Sequence, residues 1–219
     1  MDANLQTIQV EELVFRVKAP AGQGPHPVLL LLHGLTGDEN IMWVFTGRLP
    51  QDLYMIAPRA VHPAPGGGYS WLEDTGSRPW VDDLRPAADR LLEALRPEHF
   101  PGADFSRMSL MGFSQGAALT YTIGLLYPAR AAALAGLAGF IPEGAQALAR
   151  NRPLQGRPAF VAHGTRDETI PVARAREAVR VLEEAGSQVT YCEDEVGHKL
   201  SAKCFRALEH FIAQHGSPS

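Results

Sequence analysis

The stretch "SRMSLMGFSQGAALTYTIGLLYP", residues 106–128, constrains the fold more than any other. Its first half is apolar with strand character. Its second half reads as a helix that Pro128 stops. Between them a serine is flanked by glycines in the run Gly112-Phe113-Ser114-Gln115-Gly116. By composition alone G-x-S-x-G arises in ~0.08 chains of this kind, so the spacing by itself is a moderate signal. Its place between strand and helix strengthens it. A tight turn there lifts the serine off the sheet edge, and the flanking glycines avoid clashes with the neighbouring strand and helix. The free N–H groups of the helix start then converge where negative charge would develop.

The rest of the chain supplies the sheet this turn needs. "PVLLLLHG", "DLYMIAPRA", "AAALAGLAGFIP" and "PAFVAHG" are near-continuous apolar runs, as strands buried on both faces are. "VDDLRPAADRLLEALRP" carries apolar residues at Leu84, Ala88, Leu91, Leu92 and Leu95, a helical spacing. "VARAREAVRVLEEAG" is amphipathic, with Gly186 where a left-handed C-cap belongs. "QVTYCEDE" and "SAKCFRALEHFIAQHG" read as a last strand and a closing helix, and "TIQVEELVFRVKAP" as antiparallel edge strands. This alternation predicts an α/β fold: one domain over residues 1–219, with a mostly parallel central sheet and helices on both faces. In such sheets the sites lie beyond the carboxyl ends of the strands. His33, Ser114, Asp167 and His198 fall there.

Composition excludes several classes. The net charge of −4 leaves no basic excess for a phosphate backbone, so no nucleic-acid partner is expected. The N-terminus lacks the basic and apolar segments of a signal peptide, and no apolar stretch approaches the roughly 20 residues needed to span a bilayer. A cytoplasmic protein without membrane insertion is expected, and the sequence leaves room for a homodimer. Cys192 and Cys204 have no CxxC spacing and read as two reduced structural thiols; a disulfide would require export. HxxEH, HExxH and Cys/His clusters are absent from the sequence, so no metal and no cofactor is expected.

A serine hydroxyl is a poor nucleophile and needs a base held by a third group. In a fold of this kind the chain order is Ser, then Asp or Glu, then His. His198 lies in "EVGHKLS", between the last strand and the last helix, after a glycine that lets the loop turn. His210 and His215 lie on the closing helix, and His163 ends the run "AFVAHG" ahead of the acids that follow it. Between Ser114 and His198, "HGTRDETIP" offers Asp167 at a strand end, with Glu168 second. Asp194 and Glu195 are rivals almost contiguous with His198. Two N–H donors are needed for a tetrahedral oxyanion. Gln115 supplies one, and Leu35 in "LLHGLTGDEN" supplies the other, while Asp38 caps a helix starting near Glu39. These are backbone roles, so the side chains of Leu35 and Gln115 read as weakly constrained.

"HGLTGDEN", "APRAVHPAPGGGYSW", "GFSQGA", "HGTRDETIP" and "GHKLS" together resemble the compact phospholipase/carboxylesterase family of α/β-hydrolases, which includes acyl-protein thioesterases. The motifs run from His33 to Ser201 in the family's order. The resemblance implies Ser114, Asp167 and His198 as a catalytic triad, with Leu35 and Gln115 as oxyanion donors. Acyl-protein thioesterases tend to carry HGLGD, whereas here Thr36 and Gly37 precede Asp38. The "GGGYSW" loop is more similar to the bacterial carboxylesterase branch.

Only "EGAQALARNRPLQGR" separates the strand after the nucleophile helix from the next, so no cap domain is expected. The loop "VHPAPGGGYSWLEDTGSRPW" then has two open readings. Tyr69, Trp71 and Trp80 form an apolar wall for substrate, with Tyr69 and Trp71 as the binding residues, or they pin the loop to the body. The leading expectation is a serine carboxylesterase acting on small to medium-chain carboxylic esters through an acyl-serine intermediate. An acyl-protein thioesterase or lysophospholipase is the alternative, with a thioester or ester as the small-molecule partner. A non-catalytic ligand-binding relative is remote, because such proteins typically lose a triad member.

Overall fold

A computed structural model describes residues 5–74 and 78–216. The strands are β1 (Leu5–Val10), β2 (Leu13–Lys18), β3 (His26–Leu32), β4 (Tyr54–Pro58), β5 (His62–Pro63), β6 (Tyr69–Ser70), β7 (Ala103–Phe113), β8 (Leu134–Leu137), β9 (Pro158–Gly164) and β10 (Gln188–Asp194). The helices are α1 (Val81–Ala94), α2 (Gln115–Leu126), α3 (Ala145–Ala149), α4 (Val172–Glu184) and α5 (Ala202–His215). Eight strands form one sheet in the order β1-β2-β4-β3-β7-β8-β9-β10, and β5 and β6 form a separate hairpin. β1, β2 and β4 pair antiparallel, and every pair from β4 to β10 is parallel.

The continuous apolar runs divide between the two faces as the strand period of two requires. Val28, Leu30 and Leu32 of β3 enter a core shared with Leu84, Ala88 and Leu91 of α1, Tyr121 of α2 and Ala175 and Leu182 of α4. Leu29 and Leu31 enter the opposite core with Met42 and with Leu208, Phe211 and Ile212 of α5. Helices therefore cover both faces. Between β8 and β9 the chain holds only the short α3, so no separate cap domain is built.

Two expectations are corrected. The segment after β3 does not start a helix near Glu39 capped by Asp38. Asp38 Oδ1 accepts the Asn40 N–H at 2.8 Å, and the chain then makes only a short 3₁₀ helix, Ile41–Phe45. The cysteines are not two reduced thiols: Cys192 on β10 and Cys204 on α5 form a disulfide. The chain turns back between them, bringing Cα atoms 12 residues apart to 5.6 Å, within reach of a bridge. Among the described residues no helix is long and apolar enough to cross a membrane.

The contact that sets the sheet-to-helix geometry lies at the start of α2. A Cβ on Gly116 would sit 2.1 Å from the Leu32 carbonyl oxygen and 2.6 Å from that of His33. One on Gly112 would sit 2.1 Å from the Gly116 carbonyl oxygen. Backbone meets backbone at both places, so no side chain can swing aside. Gly116→Ala is expected to lower the unfolding free energy by about 1–3 kcal/mol, measured by urea denaturation, because rigid overpacking costs that much.

Candidate active site

Ser114 closes β7 and opens α2 with φ 55° and ψ −116°. A non-glycine residue held at positive φ stores of order 1–3 kcal/mol of strain. The surroundings enforce it. The Ser114 N–H donates to the Leu137 carbonyl at 2.8 Å, and its carbonyl accepts the Ala117 N–H at 3.0 Å. The hydroxyl is thereby held above the sheet edge, where Nε2 of His198 lies 3.1 Å from Oγ. His198 Nδ1 in turn lies 2.7 Å from Oδ2 of Asp167. The structure thus brings Ser114, His198 and Asp167 into one hydrogen-bonded chain.

Three loops converge to make that chain. Gly164 ends β9, and a Cβ there would meet the carbonyl oxygens of Val196 and Gly197 at 2.2 Å. Thr165 N–H donates to the Asp194 carbonyl at 2.8 Å and Arg166 N–H to that of Val196 at 3.0 Å. The acid loop and the histidine loop are therefore joined along their backbones. Asp194 and Glu195, the rival acids, are engaged elsewhere: Asp194 Oδ1 accepts the Glu195 N–H, and Glu195 pairs with Arg166 at the surface.

Asp167 Oδ1 accepts the N–H groups of Thr169 and Ile170, both at 2.9 Å. Burial alone would push this carboxyl upward. The Ile170 N–H, His198 and the Thr169 N–H outweigh it, and the group lies below the usual aspartate range. It is therefore held as a carboxylate facing the imidazole. His163 packs behind it, with Nε2 2.8 Å from the Ile170 carbonyl and 3.3 Å from Asp167 Oδ2. His163 has no place in the Ser-His-Asp chain, but it supports the acid loop from below, a role not legible in the sequence.

The N–H groups of Leu35 and Gln115 donate to no protein acceptor among the described residues. Leu35 and Ser114 line the same cleft of about 540 Å³, together with His198, Phe113, Ile41, Met42, Val44 and Phe45. Ile41 is 55% and Val44 69% exposed, so the 3₁₀ helix presents apolar side chains to solvent at the cleft. The sequence reading missed this wall. Its signal was the apolar triplet Ile41, Val44 and Phe45 beside the HGLTG turn.

The aromatic loop lies elsewhere than expected. Trp71 is only 3% exposed. Its indole N–H donates to the His33 carbonyl at 2.7 Å, and its ring lies 4.7 Å from the His33 ring. Tyr69 lies under the Arg59 guanidinium, and its backbone pairs with Thr36 and Gly37. Neither lines the cleft. Trp80 is exposed at the start of α1, also outside it. The pinning reading therefore replaces the wall reading for Tyr69 and Trp71. The Gln115 side chain is also tightly held: Oε1 accepts the Trp71 N–H at 2.9 Å, and Nε2 reaches Ser70 Oγ at 3.1 Å. Among the described residues no cluster of three or more His, Cys, Asp or Glu could hold a metal.

An eight-stranded sheet with a nucleophile elbow and a Ser-His-Asp chain at its carboxyl edge is the architecture of the α/β-hydrolases. The sequence model of the phospholipase/carboxylesterase family matches residues 14–216, and the chain belongs to that family of carboxylic ester hydrolases. It is 28% identical over 171 residues to acyl-protein thioesterase 1 of Yarrowia lipolytica, spanning 70% of this chain and 75% of that protein. It is 26% identical over 158 residues to a probable carboxylesterase of Oryza sativa subsp. japonica, spanning 71% of this chain and 56% of that protein. Among solved structures, the Bacillus cereus carboxylesterase superposes with a TM-score of 0.78 over 97% of this chain and 95% of its own, at 21% identity. The carboxylesterase from Mesorhizobium loti gives 0.79 over 96% and 99%, at 20% identity. Those two likenesses establish the fold.

Burial pushes both His33 and His163 below the ordinary imidazole range. Their folded pKa values are depressed, so the unfolded chain takes up protons first as pH falls. The stability these neutral rings contribute is complete above ~6.5 and is lost on acidification toward the folded values. Urea denaturation is expected to show stability falling below about pH 6.5, by up to about 1.4 kcal/mol per pH unit for each histidine. A flat profile between neutral pH and pH 5 would contradict this assignment.

Proposed function

We propose that the protein is a serine carboxylesterase that hydrolyses small to medium-chain carboxylic esters through an acyl-serine intermediate. The observation that carries the reading is the Ser114–His198–Asp167 chain, at 3.1 and 2.7 Å, with Ser114, His198 and Leu35 lining one cleft and Gln115 following Ser114 at the start of α2. In this mechanism His198 Nε2 takes the Ser114 proton as Oγ attacks the ester carbonyl. Asp167 holds the imidazole tautomer and balances the imidazolium charge. The N–H groups of Leu35 and Gln115 receive the oxyanion. The tetrahedral intermediate collapses by breaking the bond to the alkoxy oxygen, which leaves as alcohol with the proton from His198. Water then enters, gives its proton to His198, and releases the acid with return of that proton to Oγ.

The wall of Ile41, Val44 and Phe45 supports an apolar acyl or alcohol group. The open cleft also suits a larger substrate. Similarity to a protein named acyl-protein thioesterase 1 favours a thioester as second reading, in which sulfur replaces the alkoxy oxygen as leaving atom.

A panel of aryl esters and acyl-thioesters of increasing chain length, assayed on wild type and variants, tests both. Ser114→Ala is expected to lose at least about 10³-fold in kcat, since the triad acts as a unit. Val44→Asp is expected to lower kcat/KM for octanoyl esters about tenfold, the equivalent of ~1.4 kcal/mol of lost apolar contact. Acetyl esters, which carry little apolar surface to bury, are expected to stay within about twofold. A uniform loss across chain lengths would remove Val44 from the acyl wall. Full activity of Ser114→Ala would remove the serine mechanism.

A further inference from the structure

His33 makes no contact in the Ser114–His198–Asp167 chain, yet it is fully buried just past the end of β3, one residue before Gly34 of the cleft. Its ring makes two contacts of opposite kind. The Ala60 N–H lies 3.1 Å from Nε2, and the Gly34 carbonyl oxygen lies 2.7 Å from Nδ1. A backbone N–H can only donate and a carbonyl can only accept. Nε2 is therefore the bare nitrogen, and the single proton of the neutral ring sits on Nδ1 and is donated to Gly34.

The Gly34 carbonyl and the Leu35 N–H belong to one trans peptide, in which they point in opposite directions. Holding the carbonyl against the imidazole fixes the N–H on the far side. The Gly37 N–H adds a second bond to the same carbonyl at 3.0 Å. The loop has no slack, because a Cβ on Gly37 would meet Nδ1 of His33 at 2.8 Å. Behind the ring, Trp71 packs on the imidazole and donates its indole N–H to the His33 carbonyl, while its backbone N–H donates to the Gln115 side chain. An unbroken run of contacts thus links the peptide that carries the Leu35 N–H to the residue that carries the Gln115 N–H.

We propose that His33 is a positioning residue: its Nδ1–H, acting through the Gly34 carbonyl, aims the Leu35 N–H, and Trp71 with the Gln115 side chain ties the two donors into one rigid unit. The proposal rests on the reading of Leu35 and Gln115 as oxyanion donors in a serine mechanism. It adds that their aim is set by buried side chains the reacting atoms never touch.

The test compares His33→Leu with His33→Asn on one short aryl ester. Both variants lose the acceptor for the Ala60 N–H. Only asparagine offers an N–H where Nδ1 stood. Removing one oxyanion donor costs about 10²–10³ in kcat, so a misdirected one in His33→Leu is expected to cost about 10- to 100-fold, with KM within about threefold. His33→Asn is expected to recover kcat to within about fivefold of wild type, since the Gly34 carbonyl keeps a donor. Equal kcat in the two variants would overturn the proposal, as would a loss confined to KM. Ring-nitrogen NMR of the wild type decides the matter independently if a variant does not fold: the Nδ1–H tautomer of His33 is expected, and the Nε2–H tautomer would overturn it. Failure of the underlying reading is distinct, because Ser114→Ala would then retain activity.

Discussion

The close approach of α2 to the ends of β3 and β7 is the constraint on which the rest depends. Gly116 brings the first turn of α2 against the Leu32 and His33 carbonyls, and Gly112 lets β7 pass beneath it. With both approaches fixed, residue 114 must turn at positive φ to connect strand to helix. Its strain is thus imposed by backbone contact on both sides and held by the cooperative stability of the sheet. The same approach places the α2 N-terminus, with the free Gln115 N–H, beside the turn that follows β3. The candidate nucleophile and both candidate donors are consequences of one packing decision.

The site is then built in depth. At the cleft stand Ser114 and His198, with apolar contact from Phe113, whose ring lies 4.9 Å from that of His198. One layer down, Asp167 is held by two backbone donors, His163 braces its loop, and His33 holds the turn after β3. Both deeper histidines lie at the carboxyl edge of the sheet, His33 just past β3 and His163 next to last in β9, and precede a glycine, and both are kept neutral by burial. A neutral imidazole has one donor and one acceptor, so it can fix the direction of a neighbouring peptide without introducing charge. A charged side chain at either place would carry a desolvation cost and perturb the electrostatics of the Ser114–His198–Asp167 chain.

Much of this was legible in the sequence because it follows from local chemistry. The continuous apolar runs of β3, β8 and β9 announce strands covered on both faces, and the glycines around Ser114 announce a crowded turn. The chain order of serine, acid and histidine points to His198, and the strand-end position favours Asp167 over Asp194, which is almost contiguous with His198. The parts that were not legible depend on contacts distant in sequence. Trp71 in a Pro- and Gly-rich loop is equally suited to facing substrate or core, and only its bond to His33, 38 residues away, decides for the core. The Gln115 side chain looked free because its partners lie 45 and 44 residues off. The Cys192–Cys204 bridge needs β10 and α5 to fold back on each other, and spacing alone does not say that they do. The apolar wall arises because the segment after β3 winds into a short 3₁₀ helix that turns Ile41 and Val44 outward.

The most direct test of the central claim is a crystal structure of the protein after reaction with an alkyl fluorophosphonate. The account predicts phosphorus bonded to Ser114 Oγ, with the phosphonyl oxygen about 3 Å from both the Leu35 and the Gln115 backbone nitrogens. An adduct on another residue, or a phosphonyl oxygen held by neither N–H, would contradict it.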